Sequence, residues 1–175
     1  MVDRKASATW EGDLFTGKGT VSLDSAQAAP MDVSWAARAE NPEGQTSPEE
    51  LVAAAHAACY AMALSNELAK NGTPANSLDS SAVVTFAKGD AGFSVTRSAL
   101  TIRGDIPGID AETFEKLAGQ AKEGCPISKA LAGNVEITLD AALSEAPIFV
   151  VRRSSAVSPA GGRRRRLYPG PRASR

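Results

Sequence analysis

The stretch PEELVAAAHAACYAMALSNELAKNG, residues 48–72, predicts one long helix that is apolar almost all the way round and carries Cys59 near its centre. Ser47 is a favourable N-cap, proline follows at the first helical position, and Glu50 completes a capping box. A Lys-Asn-Gly sequence at 70–72 marks the end of the helix. A helix with so little polar surface is expected to be buried at the centre of the fold.

The segments on either side of this helix show strand and helix patterns. Alternation of polar and apolar residues predicts strands at 5–12, 17–25, 31–39, 78–89, 92–104 and 135–143. Helical patterns predict two further helices, at 109–124 and 125–133. Glycine-containing turns at 12–17 and 89–92 predict two hairpins. The order βββ α ββ α α β clusters the strands, which predicts an α+β fold with about six strands in an antiparallel sheet.

Composition divides the 175-residue chain near residue 145. Residues 1–145 carry 11 Lys and Arg against 20 Asp and Glu, a formal charge of −9, whereas residues 146–175 carry 8 Arg and no acid, a charge of +8. We expect one domain over 1–145 and an Arg/Pro/Gly/Ser-rich tail over 146–175 that is mostly disordered or foreign to the fold. A basic arm that binds nucleic acid is the alternative interpretation of the tail.

Several classes of protein are disfavoured by the rest of the composition. An acidic domain would repel phosphates, so nucleic-acid binding is not expected of it. No apolar run is long enough to span a membrane, and the N-terminus lacks the apolar core of a secretory signal, so a cytoplasmic location is expected. Two cysteines are too few for a disulfide scaffold and lack the C-x-x-C spacing of structural zinc sites.

The two cysteines are candidates for thiol chemistry. Cys59 could be an inert small hydrophobe, because burial raises a thiol pKa, and a reactive thiol there would need a nearby cation or strong hydrogen-bond donors. Cys125 precedes a proline and is predicted to cap a short helix, where N–H groups favour a thiolate; an ordinary turn cysteine is the alternative. If the two thiols meet, one can be oxidised and the other can resolve it as a disulfide.

Arg38 and Glu49 are the candidates for a buried ion pair. Arg38 falls late in the predicted strand 31–39, on a face with small neighbours, although a solvated surface arginine is an open alternative. Glu49 could simply complement the helix dipole, but a buried arginine would need such a carboxylate. Glu49 and Cys59 are ten residues apart, about 15 Å along a straight helix. Either the helix starts later than its cap indicates, or the carboxylate reaches a cysteine on a second chain.

His56 and two phenylalanines have both structural and functional interpretations. His56 lies one turn before Cys59 and could act as a base, or bind zinc with Cys59, Cys125 and a carboxylate, or be a hydrogen-bonded structural residue. Phe93 and Phe114 could line a pocket for an alkyl group or pack in the core.

Five segments together carry a family resemblance. They are WEGDLFTGKGTVS (10–22), PEELVAAAHAAC (48–59), DAGFSVTRSALTIRGDIPGIDAETF (90–114), GCPISKAL (124–131) and EITLDAAL (136–143). In this order, and with both cysteines in place, the chain resembles the OsmC/Ohr family of thiol peroxidases, specifically its OsmC branch. The resemblance covers about residues 5–144 and does not include the tail.

The resemblance implies an intertwined homodimer with two active sites at the subunit interface, acting in oxidative or osmotic stress defence. It implies that Cys59 reduces organic hydroperoxides, and hydrogen peroxide less efficiently, through a sulfenic acid that Cys125 resolves as a disulfide. Arg38 and Glu49 match the arginine and glutamate of the family, Arg38 within a less distinctive segment. An external dithiol, such as a lipoylated protein, would recycle the disulfide, and no metal or organic cofactor is implied.

A second functional interpretation uses the same two thiols. The chain could be a redox sensor or dimeric stress protein in which the cysteine pair changes state without turnover. Such a protein would consume at most one peroxide for each pair of thiols. Catalytic turnover with a recyclable dithiol distinguishes the two interpretations.

Overall fold

The computed structural model describes residues 1–144, which form six strands and four helices. The strands are β1 Ser7–Glu11, β2 Lys18–Ser22, β3 Met31–Ser34, β4 Ser77–Gly89, β5 Gly92–Asp105 and β6 Glu136–Leu143. The helices are α1 Trp35–Ala39, α2 Pro48–Lys70, α3 Ala111–Gly124 and α4 Pro126–Leu131. The predicted α+β class is confirmed, whereas the predicted boundary at 145 and the tail 146–175 lie outside the described residues.

Helix α2 begins and ends where its sequence signals predicted. The Ser47 side chain accepts a hydrogen bond from the Glu50 N–H at 3.1 Å. At the other end Gly72 has a φ of 80°, a left-handed conformation that glycine adopts without the strain of a side chain. Helix α2 is therefore unbroken over 23 residues. Within residues 1–144, no helix combines the length and apolar character that a membrane span requires.

The first sheet has the antiparallel order β1-β2-β3, and the hairpin predicted at 12–17 joins its first two strands. The predicted strand over 31–39 is wrong in its second half, because the chain turns into helix α1 at Trp35. The Ser34 side chain caps this helix by accepting from the Ala37 N–H at 3.1 Å. The alternating pattern predicted a strand over these residues, although Ser34 is a favourable N-cap and good helix formers follow it.

The second sheet has the order β4-β5-β6 and is not antiparallel throughout. Strands β4 and β5 form the long hairpin predicted at 89–92. Strand β6 runs parallel to β5, which the sequence analysis did not predict. Helices α3 and α4 connect the two strands, and a parallel pair needs such a crossover. This crossover is what returns the residues around Cys125 to the side of helix α2.

Helix α2 buries only one of its faces within a single chain. Its completely buried side chains include Tyr60, Leu64 and Leu68, which join the core formed with α3 and the second sheet. On another face Ala58 and Met62 are exposed, and Met62 has a relative exposure of 67%. The predicted all-round burial is therefore not achieved by the described residues of one chain.

Gly104 on β5 is required for close packing against helix α3. A Cβ atom there would collide with Ile106 Cδ1 and would lie 3.2 Å from both Leu78 and Phe114 side-chain atoms. We expect Gly104→Ala to lower the free energy of unfolding by about 1–3 kcal/mol, measured by urea denaturation of the reduced protein. Gly119→Ala on α3, where nothing lies within 4 Å of an added Cβ, is the matched control and should not destabilise. Equal stability of the two variants would contradict this packing role.

Candidate active site

The crossover brings Cys59 of helix α2 against Cys125, which lies 66 residues later in the chain. The two Sγ atoms are 3.2 Å apart and both thiols are free. This separation is about 1 Å longer than a disulfide bond, so a small movement would join the sulfur atoms. Cys125 is completely buried, whereas Cys59 is partly exposed. An oxidant could therefore reach Cys59 more readily than Cys125.

Cys125 occupies the cap position of helix α4, as predicted, and Pro126 is the first helical residue. Burial raises the pKa of the Cys125 thiol, but hydrogen bonds to its sulfur outweigh this effect and leave the pKa below its usual value. The groups that lower this pKa are Ser128 and Ile127, in the first turn of α4, and Cys59. Within one chain, the thiolate of this pair is therefore favoured on Cys125.

Cys59 lacks equivalent stabilisation. Burial raises the pKa of its thiol, the contact with Cys125 raises it further, and only the Ile127 N–H opposes the shift. A nucleophilic Cys59 needs a positive charge that would favour its thiolate. Such a charge is not among the groups that affect Cys59 in the described part of one chain.

Arg38 and Glu49 form an ion pair at the start of helix α2. Arg38 Nε lies 3.2 and 3.1 Å from the two carboxylate oxygens of Glu49, and Nη2 lies 2.7 Å from Oε1. Glu49 is 7% exposed and the Arg38 side chain 31% exposed. The Arg38 guanidinium also packs 4.2 Å from the centre of the Phe86 ring. A planar guanidinium held by a buried carboxylate and an aromatic ring keeps one orientation.

The placement of Arg38 differs from the sequence prediction. Arg38 lies in the last turn of helix α1 and not late in a strand. The chain then returns to β3, where the Thr46 N–H donates to the Asp32 carbonyl at 3.0 Å, immediately before α2 begins. This connection holds the end of α1 beside the first turn of α2. It was not predicted, because a short capped helix leaves little periodic signal.

The four predicted site residues form two separate pairs in one chain. Arg38 contacts Glu49, and Cys59 contacts Cys125. Because α2 is an unbroken helix, the ten residues between Glu49 and Cys59 separate the pairs by about 15 Å along its axis. A later helix start, the first explanation considered for the spacing, is excluded.

A cavity of about 530 Å³ opens beside the ion pair. Its lining includes Arg38, Glu49, Val83, Phe86 and Phe93. The rings of Phe86 and Phe93 stack with their centres 5.0 Å apart, and Trp35 packs edge-on against both. The cavity thus combines one cationic group with an aromatic wall. Phe114, the other predicted pocket residue, is completely buried in the core instead.

His56 is a completely buried residue held by two serines. Its Nδ1 lies 2.7 Å from Ser98 Oγ and its Nε2 lies 2.9 Å from Ser128 Oγ. Burial lowers the pKa of His56 and so favours the neutral ring. Among residues 1–144, no group of three or more His, Cys, Asp or Glu has an arrangement that could hold a metal ion. Neither serine was predicted as a partner of His56. They lie 42 and 72 positions after it in the sequence, and no local signal connects residues so far apart.

Comparisons with known proteins agree on one family. The family model described as OsmC-like protein matches residues 41–140. The chain is 46% identical over 139 residues to the peroxiredoxin OsmC of Escherichia coli (strain K12), a match that covers 79% of this chain and 95% of that protein. It is 31% identical to the organic hydroperoxide resistance protein OhrA of Bacillus subtilis (strain 168), over 75% of this chain and 88% of that one. The crystal structure of the organic hydroperoxide resistance protein OhrB of Bacillus subtilis matches with a TM-score of 0.64 and 26% identity, over 79% of this chain and 98% of that one.

Proposed function

The chain belongs to the OsmC-like protein family, and from this premise we propose that it is a thiol-dependent peroxidase that reduces organic hydroperoxides, and hydrogen peroxide less efficiently. The observation that carries the proposal is the contact of Cys59 and Cys125, whose sulfur atoms lie 3.2 Å apart in a partly exposed site. Two adjacent thiols supply the two electrons that reduction of one O–O bond consumes.

The first step is attack of the Cys59 thiolate on the terminal oxygen of the hydroperoxide. The S–O bond forms as the O–O bond breaks, the alkoxide leaves and takes a proton to become an alcohol, and Cys59 becomes a sulfenic acid. The Cys125 thiolate then attacks Cys59 Sγ. The S–O bond breaks, hydroxide leaves and takes a proton to become water, and the disulfide forms.

Arg38 and Glu49 complete the site from a second subunit. Cys59 needs a cation, and the Arg38 of its own chain is tied to Glu49 about 15 Å away along the helix. We therefore assign to each Cys59 the Arg38 of the partner subunit, oriented by the Glu49 carboxylate of that same subunit. The guanidinium would favour the Cys59 thiolate over that of Cys125 and would polarise the bound peroxide.

The surface of a single chain supports a homodimer. The exposed face of α2 carries Ala58 and Met62. Val83 and Phe93, which line the cavity beside Arg38, are 65% and 54% exposed. A second copy would bury this apolar surface. Because Val83 and Phe93 also line the Arg38 cavity, a second copy seated on them would lie next to Arg38.

An external dithiol recycles the enzyme by reducing the Cys59–Cys125 disulfide through thiol–disulfide exchange. We propose a lipoyl group of a lipoylated protein as this dithiol. We also propose a cytoplasmic location, where thiols stay reduced. The role proposed for the protein is defence against oxidative and osmotic stress.

Turnover with a recyclable dithiol tests the proposed function. Purified protein is mixed with cumene hydroperoxide and dihydrolipoamide, and peroxide loss is followed with time. We expect many equivalents of peroxide to be consumed per subunit, with a higher kcat/KM for cumene hydroperoxide than for hydrogen peroxide. Consumption that stops at one equivalent per pair of thiols would indicate the redox sensor instead.

A further inference from the structure

The face of the Phe86 ring and the Glu49 carboxylate hold the Arg38 guanidinium together. Arg38 Cζ lies over the ring, 4.2 Å from its centre, which is within the distance of a favourable cation–π contact. Glu49 takes the edge of the guanidinium that carries Nε and Nη2. Within residues 1–144, no group accepts a hydrogen bond from Arg38 Nη1. This nitrogen is the donor that Arg38 can offer to a partner outside the described part of its own chain.

A bulge in the β4–β5 hairpin places two phenylalanine rings on one face of the sheet. The strand pairing shifts by one residue between Thr85 and Phe86, and Phe86 pairs with Val95, which leaves Thr96 of β5 without a paired residue. One extra residue moves the side chains beyond it to the opposite face of a strand. Phe93 is thereby the diagonal neighbour of Phe86, and the two rings stack at an angle of 12°.

Helix α1 rests on the Phe86 ring through two of its residues. Trp35, the first residue of α1, packs edge-on against Phe86 with the ring centres 6.4 Å apart. Arg38 follows three positions later, which places both side chains on one side of the helix. A helix of only five residues has little stability of its own. The position of Arg38 therefore depends on contacts made outside α1, and Phe86 supplies two of them.

We propose that Phe86 is a positioning residue for the peroxidase reaction: its ring holds the Arg38 guanidinium so that Nη1 is presented to the peroxide and to Cys59 of the partner subunit. The proposal rests on the function proposed above for Arg38. The negative face of an aromatic ring attracts a cation without accepting its hydrogen bonds, so Phe86 leaves Nη1 available. A second carboxylate in this place would bind Nη1 and would weaken the positive charge that favours the Cys59 thiolate.

Contact with the substrate is the competing role for Phe86, because its side chain also lines the cavity beside the ion pair. The two roles differ in the peroxides that they affect. A ring that positions Arg38 affects the reduction of every peroxide, including hydrogen peroxide, which has no alkyl group. A ring that only contacts the alkyl group of the substrate affects organic hydroperoxides alone.

The first experiment compares kcat/KM for cumene hydroperoxide and for hydrogen peroxide, with dihydrolipoamide as reductant. Phe86→Met replaces the ring by a flexible apolar side chain and should lower both values about fivefold. Phe15→Leu is the matched control and should leave both values unchanged. It removes a ring that packs edge-on against Trp35, 5.8 Å away, whereas the cation–π contact of Arg38 is with Phe86. A loss confined to cumene hydroperoxide, or an equal loss in Phe15→Leu, would overturn the proposal.

Fluorinated phenylalanine in place of Phe86 separates the attraction for the cation from packing. Each fluorine withdraws electron density from the face of the ring and weakens its attraction for a cation, with little change in shape. From phenylalanine through its mono-, di- and trifluorinated forms, log kcat/KM should fall in proportion to the number of fluorines for both peroxides. We expect a total decrease of about threefold. Values that stay constant across the series would overturn the proposal.

The mobility of the Arg38 side chain is measured without peroxide. The order parameter of its Nε–H group is obtained from NMR relaxation, and the signal is assigned by its absence from Arg38→Lys. It should fall in Phe86→Met and stay unchanged in Phe15→Leu. An order parameter that does not change in Phe86→Met would overturn the proposal. If the protein turns over no peroxide, the proposed function fails, whereas the order parameters still decide whether Phe86 holds Arg38.

Discussion

Cys59→Ser is expected to lower kcat/KM for organic hydroperoxides by on the order of 10³-fold or more, because the variant lacks the nucleophile that attacks the O–O bond. The measurement is steady-state peroxide loss with dihydrolipoamide as reductant. The substitution exchanges sulfur for oxygen in a partly exposed position, so the fold should be retained and the loss should lie in the chemistry.

Cys125→Ser is the control that separates attack from resolution. This variant should still consume one equivalent of peroxide and then stop, with a sulfenic acid on Cys59 that a dimedone reagent traps. A Cys59→Ser protein that keeps turning over, or a sulfenic acid trapped on Cys125 instead, would contradict the assignment of the two thiols. The second outcome is a real alternative, since a single chain favours the thiolate on Cys125.

Mixed dimers provide the second large expected effect. Arg38→Ala in both subunits should reduce peroxidase activity by roughly 10²-fold, because a donor that stabilises the thiolate and the leaving oxygen is lost. A mixed dimer of one Cys59→Ser subunit and one Arg38→Ala subunit should recover about half of the wild-type activity per dimer. Its one intact Cys59 faces the one intact Arg38 across the interface. The mixed species is isolated by tandem purification on two different affinity tags.

The same two substitutions on one subunit give the matched control. A dimer of a wild-type subunit and a Cys59→Ser/Arg38→Ala subunit should be nearly inactive, since the remaining Cys59 faces the missing arginine. If Arg38 acted within its own chain, the two results would be reversed. Glu49→Gln should behave as Arg38→Ala does in both pairings, because the carboxylate orients the guanidinium of its own subunit.

Local sequence signals predicted helix α2 well, because caps and periodicity act over a few residues. Ser47, the proline after it and Gly72 bound the helix where expected. The same kind of signal placed Cys125 at the cap of α4. The wrong prediction of a strand over all of 31–39 also has a local cause. A short helix capped by Ser34 begins within an alternating stretch, and four strand residues are too few to separate the two periods.

The sequence of this protein was sufficient to predict its α+β class and its long helix with a thiol at the centre. It also predicted that Glu49 and Cys59 lie too far apart on one straight helix to share a site within one chain. Only the tertiary structure brings Cys59 to Cys125, pairs Arg38 with Glu49 and encloses His56 between two serines. The physical reason is that capping and periodicity depend on neighbours within a turn or two. Contacts between residues tens of positions apart depend instead on how β6 returns parallel to β5 and how the connecting helices pack on α2.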